Sequence, residues 1–242
     1  MQLLGLIAVF AIARVSLSIR SKTAGDQRST AVTLVREYLD AFIVASLVAL
    51  LLTTFVIRTY FIPSVSMVPT LQIGDVLLVS ELEYHLHPPR SGDIAVFEPP
   101  IDSGGNEFIK RVIGVPGDTI RISDGIVYRN GRALREPYEN EPPQYDLEIK
   151  HYSIYVNGTA LDPLKANIPP KSQWSSPDRI PAGYYFMLGD NRNYSDDSHA
   201  WGFAQTGGRY ASGALARRGI KASFAGRAFM IFWPLNHFSV LH

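Results

Sequence analysis

The sequence lacks cysteine altogether among its 242 residues. The chain can therefore form neither a disulfide nor a thiolate metal site, and it has no thiol nucleophile. It also lacks a clear excess of charge of either sign, because 23 basic and 22 acidic residues give a formal net charge of +1. Proteins that bind nucleic acid usually concentrate a basic excess on one face. Nucleic acid is therefore not expected among the partners of this chain.

A histidine-based catalytic motif is also missing. None of the six histidines lies in a recognisable triad context, and no serine is part of a G-x-S-x-G turn. His85 and His87 are two residues apart without a further acidic or histidine ligand at metal spacing. A surface loop explains this pair better than a metal site, so no metal is expected there.

Long apolar runs are concentrated near the N-terminus. Residues 41–57, AFIVASLVALLLTTFVI, carry no charge and are just long enough to span a bilayer, which predicts a transmembrane helix over residues 41–62. Residues 1–19 lack the basic start of a signal peptide and are predicted to form a first membrane anchor. One or two N-terminal transmembrane helices are therefore expected.

Basic residues predict how these segments are oriented. Five of them lie between the start of the chain and the second apolar run: Arg14, Arg20, Lys22, Arg28 and Arg36. After that run, Arg58 stands alone for about thirty positions. The positive-inside rule then places residues 20–40 in the cytoplasm as a basic linker, and residues 63–242 on the far side of the membrane.

Beyond Pro63 the pattern is typical of a mostly β domain. Short β-branched or aromatic runs such as DVLLV, FIKRVIGV, DTIRI and YYFMLGD alternate with glycine, proline, asparagine and aspartate. A tight hairpin is predicted around Asn130 and Gly131. Residues 136–182 are rich in proline and polar residues and are interpreted as an excursion from the core sheet. Residues 207–223 are interpreted as an insertion without an assigned role.

Two serines directly after the second apolar run, Ser64 and Ser66, raise the possibility of serine chemistry. A serine hydroxyl needs a base, and Lys110 in EFIKRVIGV shares one strand face with Phe108 and Val112. Apolar surroundings lower the pKa of a lysine, whereas Arg111 stays charged and points the other way. From these residues alone, a surface lysine with its stem over apolar neighbours is the favoured interpretation of Lys110.

Four motifs follow the apolar run in order: PSVSMVPTLQIGD, SGDIAVFEPP, FIKRVIGVPGD and GDNRNYSDDSHAWG. With them the chain resembles the bacterial type I signal peptidases, membrane-bound serine proteases of the S26 family with a Ser-Lys dyad. The resemblance covers nearly all of residues 60–235. It implies a signal-peptidase-like β catalytic domain that works without a cofactor and cuts exported preproteins after small residues, at Ala-x-Ala sites.

The resemblance also implies roles for individual residues. Ser66 matches the nucleophile and Lys110 the general base. Ser64 matches the serine that, with the backbone N–H of Ser66, forms the oxyanion hole. Ser195 matches the serine that orients the lysine. Other positions match supporting residues of the two catalytic loops, namely Met67, Pro69, Arg192, Asp197 and Ser198.

The last motif departs from the family pattern at three positions. Asn193 replaces an acid, Tyr194 an asparagine and His199 an arginine. Histidine titrates near neutrality, so Asp197 would lose an obligatory cation and the enzyme would gain a pH-sensitive acid limb. Simple drift in a solvent-facing loop is the alternative, and an unchanged pH profile in His199→Arg would support it.

The resemblance implies a location and partners as well. We expect an enzyme of the bacterial inner (plasma) membrane, in contact with lipid, with its catalytic domain on the outer, periplasmic or extracytoplasmic side. We expect it to act as a monomer beside the secretion machinery. Two alternatives are a different Ser-Lys peptidase with specialised substrates and a non-catalytic anchored β domain that binds signal peptides. The intact Ser66 and Lys110 argue against the latter.

Overall fold

The computed structural model describes residues 9–16, 30–206 and 223–241. By its contacts the chain divides into two units, Met1–Arg58 and Thr59–His242. The predicted insertion at 207–223 lies outside the described residues except for Ser223. Much of the predicted first anchor, residues 1–19, and of the predicted linker, residues 20–40, also lies outside the described residues.

The N-terminal unit is helical where it is described. Helix α1 covers residues 9–16 and helix α2 covers Thr30–Phe55. Phe10 stacks on Phe42 with ring centroids 5.5 Å apart, and Arg14 donates a 2.7 Å hydrogen bond to Asp40. In the described parts of the chain, no helix combines the length and the apolar character that crossing a membrane requires.

The bounds of α2 differ from those of the helix that the sequence predicts over residues 41–62. The helix begins inside the predicted linker, at Thr30, and ends at Phe55, and residues Ile57–Phe61 form a strand. Isoleucine, threonine, tyrosine and phenylalanine favour strands where a neighbouring strand is available, and this segment pairs with one. The membrane role of residues 1–19 and 41–62 stays a prediction.

Fourteen strands are described outside the two long helices. In chain order they are β1 (Ile57–Phe61), β2 (Val76–Ser80), β3 (Ile94–Glu98), β4 (Phe108–Gly114), β5 (Ile120–Ser123), β6 (Ile126–Arg129), β7 (Arg132–Ala133), β8 (Leu147–Lys150), β9 (Ser153–Val156), β10 (Thr159–Ala160), β11 (Tyr184–Leu188), β12 (Ala204–Gln205), β13 (Ser223–Trp233) and β14 (Ser239–Val240). Two short α-helices, α3 (Glu83–Leu86) and α4 (Ser198–Trp201), and three 3₁₀ helices, Lys171–Gln173, Arg192–Tyr194 and Leu235–His237, complete the description. The prediction of a mostly β fold is confirmed.

The strands form two sheets. The first has the order β1-β2-β13-β3-β4-β11-β12, with β14 paired to β13, and the second has the order β10-β9-β8-β5-β6-β7. The chain leaves the first sheet after β4 and returns to it at β11, so the second sheet already begins with β5, before the predicted excursion at 136–182. Within that excursion β8, β9 and β10 join the second sheet, so it is more regular than its composition indicated. The predicted hairpin connects β6 and β7, with positive φ at Asn130 and Gly131.

Strand β4 carries the candidate base into the interior. It lies between β3 and β11, and every residue from Lys110 to Gly114 is buried. Because successive side chains of a strand point to opposite faces, Lys110 shares a face with Phe108 and Val112, whereas Arg111 points to the other. The Lys110 ammonium group lies 5.4 Å from the Phe108 ring centroid.

Candidate active site

The first catalytic loop follows β1 and carries Ser66. Its ends are joined, since Ile62 N–H donates to Asp75 O and Gly74 N–H donates to Ile62 O, both at 2.9 Å. Inside the loop, Leu71 N–H donates to Met67 O at 2.9 Å, and both side chains are buried in the core. Packing of Met67 therefore fixes the backbone beside Ser66. Pro69, another predicted structural position, follows a cis peptide bond in this loop.

Lys110 ends at the hydroxyl of Ser66. Its Nζ lies 2.7 Å from Ser66 Oγ, within hydrogen-bond distance, and the two residues are 44 positions apart in the sequence. Lys110 is 4% exposed and Ser66 8%. Burial lowers the pKa of Lys110, although the carboxylates of Asp197, Asp196 and Asp190 oppose this. A neutral amine beside a buried hydroxyl is able to take its proton.

Ser64 lies beside the same hydroxyl. Its Oγ is 3.3 Å from Ser66 Oγ, on the exposed side of the loop. A hydroxyl in this position can donate to an oxyanion that forms on a group attached to Ser66. The structure thus brings Ser64, Ser66 and Lys110 together.

The second catalytic loop, residues 189–199, leaves β11 and lies against the first. Asn191 N–H donates to Ser66 O and its side chain donates to Val65 O, both at 3.1 Å. At Gly189 an added Cβ would overlap with Ser66 O and with the Ser195 side chain. Only glycine permits this close approach of the two loops.

Ser195 is buried next to Gly189. The residue is 8% exposed, and its hydroxyl has no hydrogen-bond partner among the described residues. Buried hydroxyl groups usually have a hydrogen-bond partner, so Ser195 stands out among the residues of this loop. The orientation of Lys110 by Ser195 stays a prediction.

Asp197 and Ser198 tie the second loop to β11. Asp197 is fully buried and accepts hydrogen bonds from Gly189 N–H at 3.0 Å and from His199 Nδ1 at 2.7 Å. Ser198 Oγ accepts from Met187 N–H at 2.8 Å. Burial works to lower the pKa of His199, but the hydrogen bond and the charge of Asp197 outweigh it and raise that pKa.

Arg192 supports the loop from the other side. It is fully buried and donates to both carboxylate oxygens of Glu136, at 2.8 and 2.9 Å, and to Glu139 at 3.3 Å. Its Nε donates to Gly189 O at 3.1 Å. Arg192, Asp197 and Ser198 therefore lie behind the reacting groups and do not line the cleft.

An open cleft of about 670 Å³ leads to the two serines. Its walls come from the end of β1 and the first loop, from the start of β4, and from the second loop. The lining residues are Tyr60, Phe61, Ile62, Pro63, Ser64, Ser66, Met67, Asn106, Glu107, Phe108, Ile109, Lys110, Tyr194 and Asp196. Within the described residues, no group of three histidine, aspartate or glutamate side chains is placed to hold a metal ion.

This geometry agrees with the similarity to known proteins. The model of the family described as "Signal peptidase, peptidase S26" matches residues 35–233. The chain belongs to this S26 signal peptidase family. A protein from Synechocystis sp. described as "Probable signal peptidase I-1" is 43% identical over 176 residues, which are 70% of this chain and 75% of the relative.

Further relatives extend the match. Signal peptidase I of Leptolyngbya laminosa is 37% identical over 199 residues, 80% of this chain and 77% of the relative. A solved signal peptidase I from Enterococcus faecalis V583 is 31% identical, with 48% of this chain and 89% of that chain covered and a TM-score of 0.31.

In this S26 signal peptidase, sequence reasoning missed the partners that stabilise the second loop. Arg111 had been considered only as an unsuitable base, but it forms a buried ion pair with Asp190, at 2.7 and 2.8 Å. The carboxylate partners of Arg192 and Arg111 lie 53 to 79 positions away, so no local spacing could have indicated them. The signal that the sequence offered was the presence of charged residues of both signs within the motif segments.

The three departures from the family pattern have distinct environments. Asn193 exchanges hydrogen bonds with Pro142 O and Gln144 N–H, at 3.0 and 2.8 Å. Tyr194 is largely exposed on the cleft wall, and His199 stacks on Tyr145 with ring centroids 4.7 Å apart. His199 is therefore partly buried and paired, not free in a solvent-facing loop.

Proposed function

We propose that this chain is a membrane-anchored serine endopeptidase that removes signal peptides from exported preproteins through a Ser-Lys dyad. The observation that carries the proposal is the 2.7 Å approach of Lys110 Nζ to Ser66 Oγ at the end of an open cleft. Membership of the S26 signal peptidase family supplies the substrate class.

The reaction follows from these groups. Neutral Lys110 takes the Ser66 proton as Oγ attacks the carbonyl carbon, and the carbonyl oxygen gains negative charge. Ser64 Oγ–H and Ser66 N–H donate hydrogen bonds to that oxyanion, and losing one such donor costs about 3 kcal/mol in the transition state. The lysine proton then passes to the leaving amine, which gives an acyl-enzyme. Lys110 next activates a water molecule that hydrolyses the ester.

The walls of the cleft suit an extended substrate with small side chains. Strand residues 60–61 of β1 and 108–110 of β4 line the cleft, and exposed strand backbone of this kind can hydrogen-bond an extended peptide. Ile62 and Met67 are buried apolar residues below this cleft, so a pocket there would be shallow and apolar. Such pockets exclude large side chains, consistent with cleavage after Ala-x-Ala.

A membrane location completes the proposal. Residues 1–19 and 41–62 would anchor the chain, with the catalytic unit on the outer side of the inner membrane. Large apolar side chains are exposed near the end of the catalytic unit: Phe232, Trp233, Leu235, Phe238 and Val240. Exposed aromatic side chains of this kind favour the lipid interface. We propose that the enzyme acts there as a monomer beside the secretion machinery.

The test is cleavage of a preprotein with an Ala-x-Ala site by the detergent-purified full chain. We expect one product whose N-terminal sequence begins directly after the second small residue. Ser66→Ala and Lys110→Ala should each abolish this product, whereas Lys150→Ala, which changes an exposed lysine of the second sheet, should not. Binding of the signal peptide without cleavage by the wild type would favour the non-catalytic alternative.

A further inference from the structure

Two carboxylates line the catalytic cleft without a partner. Glu107 precedes β4 on one wall, and Asp196 directly follows Ser195 on another. Both side chains are exposed, and neither forms a hydrogen bond or an ion pair with any residue that the structure describes. Their charges are therefore available to a bound substrate.

Among the described residues, the cationic side chains of β4 and of the second loop do not offset these two carboxylates. Lys110 is the one basic residue among those that line the cleft. A general base acts in its neutral form, so Lys110 carries no positive charge when it takes a proton. The cations of β4 and of the second loop are held in pairs that point away from the cleft, namely Arg111 with Asp190, Arg192 with Glu136 and His199 with Asp197. The lining is thus net negative when the enzyme is ready to react.

Tyr194 adds an aromatic surface to the same wall. Its side chain is 69% exposed, although tyrosine rings usually bury much of their area, and it lies two positions before Asp196. Phe61, Tyr60 and Phe108 also line the cleft. A carboxylate beside an aromatic face is the combination that accepts a lysine or arginine side chain.

We infer that Glu107, Tyr194 and Asp196 determine specificity by favouring a basic side chain near the scissile bond and rejecting an acidic one at the same position. The inference rests on the proposed function and refines its substrate class. In the substrate, the two small residues of the Ala-x-Ala site would occupy the pockets beside Ser66. Glu107, Tyr194 and Asp196 would therefore contact a neighbouring side chain of the substrate.

The expected preference is moderate because the carboxylates are exposed. A single exposed ion pair changes affinity by a factor of about two to five. Attraction of a substrate lysine and repulsion of a substrate glutamate act together. At low ionic strength kcat/KM should therefore be about tenfold higher for the lysine substrate than for the glutamate substrate. Salt at about 0.5 M screens exposed charges over a few ångströms and should reduce the ratio severalfold.

The experiment uses one preprotein with an Ala-x-Ala site. Each residue around the cut, except the two small ones, is replaced in turn by lysine, glutamine or glutamate. The measured quantity is the lysine-to-glutamate ratio of kcat/KM, in which any general loss of activity cancels. We expect a ratio of about ten at one or more positions, reduced in Glu107→Gln or Asp196→Asn and close to one in the double variant.

Two further variants separate the contributions. Tyr194→Leu should lower the lysine-to-glutamine ratio of kcat/KM, because the negative face of the aromatic ring attracts a cation. Asp102→Asn is the matched control, since Asp102 is an exposed carboxylate near Glu107 that does not line the cleft. It should keep the wild-type ratio.

The outcomes distinguish this inference from the function on which it rests. A ratio near one at every position, or a ratio that the double variant leaves unchanged, would overturn the inference while cleavage itself supports the function. If the wild type cleaves none of the substrates, the proposed function fails. In that case the charge preference is measured by binding. The Kd values of the lysine and glutamate peptides are determined with the Ser66→Ala variant, and equal Kd values would overturn the inference as well.

Discussion

Two neighbouring residues of β4 show how side-chain environment determines function. Lys110 and Arg111 are both buried cations, but they point to opposite faces of the sheet. Arg111 meets the carboxylate of Asp190 in a two-bond ion pair and stays charged. Lys110 meets a serine hydroxyl and no carboxylate within hydrogen-bond distance, so burial lowers its pKa despite more distant acids. The same strand thus holds a structural cation and the proposed base.

Gly189 allows the two catalytic loops to meet, so we predict that Gly189→Ala inactivates the enzyme. A methyl group there would overlap with Ser66 O and the Ser195 side chain and would push the loops apart. Displacement by about 1 Å can cost about 100-fold in rate, and overpacking costs about 1–3 kcal/mol of stability. Measurements of kcat/KM and of Tm in detergent would check both.

Gly114→Ala is the control for this substitution. The atoms nearest to its added methyl group would be those of the Ile180 and Ile120 side chains in the core. It should lower Tm without a comparable loss of kcat/KM. An active Gly189→Ala would contradict the requirement for close approach.

His199 should make stability depend on pH. The pKa of His199 is raised in the folded state. Its contribution to the free energy of unfolding is therefore complete below the pKa of the unfolded chain, about 6.5, and is lost as pH rises through the pKa of the folded protein. The free energy of unfolding should fall over this window in the wild type. In His199→Arg the charge persists, so the fall should be absent.

Chemical denaturation between about pH 6 and pH 8 would measure this difference as a slope. Arginine can also stack on Tyr145, which makes the variant a conservative one. Parallel slopes in both proteins would show that His199 stays in one protonation state. An identical pH–rate profile in both would support simple drift at this position.

At the scale of elements, a segment near the second sheet holds the second catalytic loop. Glu136 and Glu139 bind Arg192, the backbone of Asn140 donates to Asp190 O, and Gln144 binds Asn193. These contacts come from the first part of the excursion at 136–182. The excursion therefore supports the catalytic loop and is not merely a surface addition.

We predict that Glu136→Ala destabilises the protein and lowers its activity. Removing this buried carboxylate leaves the buried Arg192 with only the more distant Glu139, and such a loss costs about 3 kcal/mol. Because Arg192 also donates to Gly189 O, loosening it should reduce kcat as well. The denaturant midpoint and kcat would be measured together.

The matched control is Glu148→Ala in the second sheet. Glu148 pairs with Lys150, but both side chains are about 40% exposed or more, so the cost should stay below about 1 kcal/mol. If both variants cost the same, the pair of Arg192 and Glu136 does not stabilise the loop.

At the scale of the whole molecule, the chain divides into the units Met1–Arg58 and Thr59–His242. The division into an anchor before residue 63 and an enzyme from residue 63 onward stays a prediction. An anchored enzyme meets its substrates at the membrane, which raises their effective concentration.

Protease added to intact spheroplasts should test the proposed topology with the full chain. We expect degradation of the catalytic unit, detected with an antibody against its C-terminus, while a cytoplasmic marker stays intact. The basic linker at 20–40 should be protected until the membrane is permeabilised, as the positive-inside rule requires. Protection of the catalytic unit in intact spheroplasts would reverse the proposed orientation.

The sequence by itself determined the local features of this protein. Strand composition predicted a mostly β fold, Asn130 and Gly131 predicted the hairpin, and alternation placed Lys110 and Arg111 on opposite faces. Each of these depends on residues within a few positions of one another. The four ordered motifs likewise indicated the family, because their residues are read without knowledge of the fold.

Only the tertiary structure decided which distant residues meet. The order of strands brings Ser66 to Lys110, Arg111 to Asp190 and Arg192 to Glu136, across 44 to 79 positions. It also ends α2 before β1, because β1 pairs with β2 instead of extending the helix. Pairing of strands depends on the whole set of competing contacts, whereas side-chain alternation depends on the backbone of a single strand.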